Sequence, residues 1–323
     1  SISGTNYSDY VYWDTNTLAW AVGQTTVHIG SGAGENNQQA YAIAIGNSAG
    51  FTGQSADSIA IGRDAGGSNQ ASYGIAIGTF AGATGQNSDG IAIGRDAGGS
   101  NQGQNAIAMG EKAGFQTQVD SAIAIGKYAG YDNQGSFNIA IGENAGQTGQ
   151  TGQYAIAIGQ GAGGIVQGSN AIAMGQSAGG IDQSASAIAM GQSAGNSNQG
   201  VAAIALGQAA GQINQTAHAI AIGQSAGNSN QGSNAVALGH FAGQTSQKMD
   251  SIAIGFNAGG DSQGTGSIAI GKSAGSSNLG ENSIAIGTSI EATGSNTIVL
   301  NASGTSLNPG ASGFYVDPIN DTT

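Results

Sequence analysis

Ser58-Ile59-Ala60-Ile61-Gly62 is followed sixteen residues on by Ile75-Ala76-Ile77-Gly78, then by Ile91-Ala92-Ile93-Gly94 and Ile107-Ala108-Met109-Gly110. The spacing runs unbroken from Val27 to Ile139, one residue is inserted between Gly146 and Ile156, and the series resumes from Ile156 to Ile284, making 17 units. Ala fills the second place of every unit but the first, which has His28, and the third place is always Ile, Met or Leu. Alternation of large and small residues over three places, closed by Gly, marks a very short strand with two unlike faces. The expected arrangement puts the large residues inside, Ile123 and Ile125 for example, and leaves Ala124 outside. A second dipeptide, Ala-Gly, recurs three places further on, as at Ala49-Gly50 and Ala258-Gly259. Gly at fixed places allows sharp turns, and its density excludes a helix.

Eleven residues after the first Ile stands a Gln in 15 of the 17 units, among them Gln54, Gln70, Gln86, Gln102, Gln118 and Gln134. If units stack at the strand spacing of roughly 4.8 Å, these amides lie above one another and can form a hydrogen-bonded ladder. No such unit buries its apolar face alone, so stability has to accumulate by stacking. The fold class expected is therefore all-β, a β-solenoid of 17 sixteen-residue coils over residues 27–301. The inserted residue near Gln150–Tyr154 is expected to bulge outward, because an insertion inside a strand would reverse its faces.

The flanks differ from the repeat. Residues 1–26 contain both Trp residues, in Tyr10-Val11-Tyr12-Trp13-Asp14 and Leu18-Ala19-Trp20, an alternating pattern broken by turn residues that reads as a capping β-hairpin. Residues 302–323 hold the only two prolines, Pro309 and Pro318, and read as an extended cap or linker.

Composition narrows the function. Only 7% of the 323 residues are charged, 60 are Gly, none is Cys, and the net charge is −12. Six basic residues cannot neutralise a phosphate backbone, so nucleic acid is not an expected partner. No apolar run is long enough to cross a bilayer, so membrane insertion is not expected either. Stability without disulfides or thiolate metal sites must come from stacking.

The repeat resembles the head repeats of YadA-like trimeric adhesins, through Ser-Ile-Ala-Ile-Gly at Ser58–Gly62, Ser251–Gly255 and Ser283–Gly287. The resemblance covers residues 27–301 and implies a left-handed parallel β-roll, with three chains associating side by side. The segment Gly313-Phe314-Tyr315-Val316-Asp317-Pro318-Ile319 looks like the region preceding the self-cleaving chaperone of viral fibres and tail spikes, which favours a virion fibre; no Ser-Asp cleavage pair is visible in it. A bacterial trimeric autotransporter head is the alternative within the resemblance, although no coiled-coil stalk or membrane-anchoring strand is present.

Chemistry-bearing residues do not cluster. His28, His218 and His240 fall at three different places in three different units, so no metal-ligand set results. Asp64 and Asp96 lie in Arg-Asp-Ala-Gly-Gly-Ser-Asn-Gln segments and are expected to form exposed pairs with Arg63 and Arg95, since a calcium roll would need acids in every unit. Asp132, Glu143 and Asp182 form no acid pair, and no nucleophile context exists. No enzyme activity, cofactor or metal is expected. The aromatics Phe51, Phe115, Tyr128, Tyr131 and Phe241 lie outside the Ile-Ala-Ile places and could stack on sugars or anchor a protein partner, or cover a neighbouring chain. Sequons occur at Asn6, Asn214, Asn301 and Asn320.

The function expected is a homotrimeric fibre or adhesin shaft, extracellular or on a virion surface, attaching to a host glycan or protein. The uniform Ala row, including Ala124, is expected to line the trimer axis. A self-assembling, amyloid-like filament is the rival, suggested by the Gln series. An ice-binding solenoid fits less well, because flat rows of Thr are missing.

Overall fold

The computed structural model describes residues 4, 7, 9–14, 17–23 and 25–318. The sequons at Asn6 and Asn320 lie outside the described residues. The chain divides into two compact units, 1–137 and 138–323, and no helix occurs among the described residues of either.

In the first unit, the antiparallel hairpin Val11–Asp14 and Ala19–Val22 sets Trp13 opposite Trp20. Seven strands follow, from Val27–Ile29 to Ile123–Ile125, each paired in parallel with the next coil's equivalent. Like stands on like: Ala108 pairs with Ala92 on one side and Ala124 on the other. A second parallel ladder joins Thr84–Gln86, Ser100–Gln102, Gln116–Gln118 and Asp132–Gln134. The second unit repeats the plan with twelve parallel strands, Ile139–Ile141 to Gly313–Asp317. Both units are parallel β-solenoids, as the sixteen-residue period predicts.

The side-chain facing is opposite to expectation. Ala44, Ala60, Ala108 and Ala124 are wholly buried, whereas Ile123 and Ile125 are only half-buried and Met109 is 38% exposed. The small residues point inward because three rows of them converge: the strand Ala, the Ala of Ala-Gly, and the residue before the strand, as in Ala44, Ala49 and Ala42, all at 0% exposure. The buried Gln forms the fourth inward row. With these four rows the interior is filled by small side chains and the Gln amide, and larger apolar groups enter it only in the last coils of the second unit, where Ile290 replaces the Ala of Ala-Gly and Leu279 the Gln. Gly50, at φ 54, sits where a Cβ would come 2.5 Å from Gln54 Oε1, so that the Ala-Gly dipeptide both turns the chain and makes space for the amide.

A buried methyl contributes only about 0.8 kcal/mol, so this core depends on repetition and on full hydrogen bonding. Gln70 shows how the amide is satisfied: Nε2 donates to Ile59 O at 2.9 Å and to Gln86 Oε1 at 3.0 Å, while Oε1 accepts from Gln54 Nε2 at 3.2 Å. In the first unit this ladder runs through Gln38, Gln54, Gln70, Gln86, Gln102, Gln118 and Gln134. In the second it runs from Gln150 through Gln167 to Gln247.

The insertion lies in the second unit and stays out of the strands, for Ile139 pairs with Ile156 and Ile141 with Ile158. Asn138, at the place that holds Thr26 in the first repeat and Ala, Ser or Gly in the others, holds the enlarged loop. Its Nδ2 donates to Gln150 O at 2.7 Å and Gly152 O at 2.6 Å, and its Oδ1 accepts from Ala155 N at 2.8 Å. Residues 302–318 also differ from an extended cap: Gly313–Asp317 pairs in parallel with Thr297–Asn301, adding one further coil.

Candidate functional site

Because Ala fills the interior, the strand's large residues form an outward face in each unit. Rows such as Ile75, Ile91, Ile107 and Ile123 stand side by side at β-sheet spacing, with a second row through Ile77, Ile93, Met109 and Ile125. In the second unit the equivalent rows include Met190, Leu238 and Ile286, each 40–42% exposed. Ordered apolar rows left partly in contact with solvent are the most regular apolar surface that each unit presents.

The aromatics picked from the sequence separate into distinct places. Phe115 stacks on Tyr131, centroids 5.4 Å apart, and Tyr131 meets Tyr128 edge-on at 5.4 Å. Lys112 Nζ lies 5.6 Å from the Phe115 centroid and 5.8 Å from that of Tyr128, and Lys127 Nζ lies 5.4 Å from the latter. Phe51 stands apart from them, beside the turn at Gly32. Phe241, in the second unit, stacks on His240 at 3.8 Å and approaches Phe256 at 6.3 Å. Expected Arg63–Asp64 and Arg95–Asp96 pairs are replaced by other contacts. Arg95 pairs with Glu111 of the next coil, and the Arg63 guanidinium lies 4.8 Å over the Phe80 ring. The cause is stacking: residues sixteen apart are neighbours, whereas residues next in sequence diverge around a turn where Asp64 and Asp96 have φ 55 and 58.

Among the described residues no three His, Asp or Glu side chains gather to hold a metal. The arrangement with the most varied chemistry is at the start of the first unit, which sequence reasoning did not single out as a site. His28 takes the inward place held by Ala in later coils, and its Nδ1 lies 3.0 Å from Gln38 Oε1. Since Gln38 Nε2 donates to Val27 O, Ala42 O and Gln54 Oε1, the amide oxygen accepts and His28 Nδ1 carries the proton. Tyr10 closes the same end: its hydroxyl donates to Thr26 O and accepts from the His28 N–H, both at 3.0 Å. Burial raises the Tyr10 pKa above the ordinary phenol value of 10.0, with the His28 N–H opposing the shift. Tyr12 meets the imidazole edge-to-face at 4.1 Å.

Beside this cap lies a cavity of about 420 Å³, lined by Tyr12, Trp13, Asp14, His28, Gly32 and Glu35 among others. Trp13 is 49% exposed and rests edge-on against Trp20 at 5.6 Å. Asp14 accepts from the Thr17 hydroxyl at 2.8 Å and from its N–H at 3.4 Å, which fixes the carboxylate at the hairpin turn. The residues come from two stretches, 12–14 and 28–35, and only the folding of the hairpin over the first coil brings them together.

The fold places the chain in the class of parallel β-solenoid repeat proteins. Comparison with protein-family models, with curated proteins and with solved structures found no match.

Proposed function

We propose that the protein is a homotrimeric fibre or adhesin shaft, extracellular or on a virion surface, that attaches to a host glycan or protein. The observation that carries this reading is the outward face of Ile, Met and Leu along the parallel strands of each unit. Regular apolar rows of this kind suit burial against a second copy carrying the same rows, and a cyclic assembly buries one equivalent stripe on every chain. The surface suited to the trimer axis is therefore the Ile face. The Ala row cannot line it, because Ala124 and its equivalents are enclosed by their own coil.

The resemblance to trimeric adhesin heads supports the same assembly, and the segment 313–319 supports the virion-fibre form of it. A repeated scaffold presenting aromatic edges and a terminal cavity suits attachment. The test is a mass determination at micromolar concentration together with binding of labelled protein to whole cells. A trimer that binds cells saturably upholds the reading. A monomer overturns the assembly, an open concentration-dependent polymer favours a filament, and a trimer without surface binding removes the adhesive role.

A further inference from the structure

We propose that the cavity at the start of the first unit is a binding site for a neutral saccharide, one or two pyranose rings in size. Its volume, about 420 Å³, falls within the range of small-molecule sites. Three features of the lining converge on polyhydroxyl recognition. Tyr12 and Trp13 bring aromatic rings, and the Trp13 ring is half-exposed, so it offers a surface for the C–H face of a sugar ring. Asp14 and Glu35 bring carboxylates, which accept charge-assisted hydrogen bonds from hydroxyls. The first coil brings backbone donors. In the next coil the N–H groups of Gly46 and Ser48 donate back to Ile29 O and Ser31 O. Among the described residues no preceding coil accepts from the corresponding N–H groups, of Gly30 and Gly32, and both residues line the cavity.

Donors and acceptors side by side, with an aromatic wall, match a neutral sugar better than the alternatives. No Lys or Arg lines the cavity, which disfavours a uronate, sialate or sulfated sugar beside two carboxylates. A cationic ligand would use the rings and carboxylates and leave the backbone donors idle. The site exists because it lies where stacking begins: in later coils a preceding turn lies over the equivalent groups.

This inference deepens the attachment reading and rests on it for its biological purpose, though its test does not depend on assembly. The mass measurement addresses the trimer, and a titration of the cavity addresses the saccharide. The full chain is examined by saturation-transfer NMR against methyl glycosides of glucose, galactose, mannose, fucose, N-acetylglucosamine and N-acetylgalactosamine, with tetramethylammonium as a cationic probe. The expected result is saturation transfer to ring protons of at least one glycoside, abolished in Trp13→Ala. Glu35→Gln, on an exposed turn, is expected to weaken the same glycoside roughly tenfold without disturbing the fold. Phe256→Ala, in the second unit, should bind as the parent does. Should Trp13→Ala lose the hairpin, Glu35→Gln decides alone. No transfer to any glycoside, transfer unchanged in Glu35→Gln, or binding of tetramethylammonium alone would overturn the proposal.

Discussion

His28 Nδ1 stands 3.0 Å from Gln38 Oε1, and this contact starts the amide ladder of the first unit. Every later Gln of that ladder accepts from the Gln before it, but Gln38 has no Gln before it, so an imidazole N–H takes the place. His28→Ala would restore the small residue usual at that inward place yet leave the Gln38 oxygen without its donor. A half-buried acceptor stranded in this way costs about 1–3 kcal/mol. Hydrogen exchange should show faster opening of the first coil, with the exchange of Ala108 and Ala124 amides unchanged.

Tyr10 gives that same end a dependence on alkaline pH. Burial raises its folded pKa above the ordinary 10.0, so the folded state holds the phenolic proton more tightly than the unfolded chain. Stability from this group is therefore complete below pH of about 10 and is lost as pH rises through the folded value. Tyr10→Phe should lower stability at neutral pH and flatten the alkaline decline, read by the fluorescence of Trp13 and Trp20 during a pH titration.

Gln118 sits in mid-ladder, donating to Ile107 O at 2.8 Å and Gln134 Oε1 at 3.1 Å, and accepting from Gln102 Nε2 at 3.2 Å. Gln118→Ala would orphan groups on both neighbouring coils and open a cavity, at about 1–3 kcal/mol for each stranded polar group. Denaturant melting should detect the loss. A change below about 0.5 kcal/mol, the size usual for surface positions, would show that the ladder is decoration.

Ala124 and Ile125 are neighbours in sequence with opposite roles. Ala124→Glu places an unpaired charge inside the coil and should destabilise the first unit by about 3–5 kcal/mol, the cost of a stranded buried ion. Ile125→Asp changes a half-buried outward side chain and should leave the circular dichroism spectrum intact while weakening association between chains. Comparing thermal melts with sedimentation profiles of the two variants separates fold from assembly; equal melting losses would refute the facing.

The recurrence of Ile-Ala-Ile-Gly every sixteen residues makes the parallel coils, their register and the looping-out of the inserted residue legible in the sequence itself. The inside of the coil is harder to read. Period-two alternation at Ile123-Ala124-Ile125 says that the two faces differ, and hydrophobicity suggests that the larger residues are buried. What decides is volume. The signal is present in Ala42 and Ala49, which with Ala44 make three small rows beside one Gln row and fill the interior, so the Ile residues of the strand face outward. The Arg95–Glu111 pair escapes a sequence reading for a related reason, since stacking makes residues sixteen apart neighbours. The N-terminal cavity cannot be read from the sequence at all, because Trp13 and Glu35 meet only once the hairpin has folded over the first coil.

The claim that the outward Ile face joins identical chains is tested most directly by the native molar mass. Sedimentation equilibrium of the whole protein across the micromolar range should give three times the chain mass, independent of concentration, with Ile125→Asp shifted toward one chain mass. A parent protein that sediments as a single chain throughout that range would contradict it.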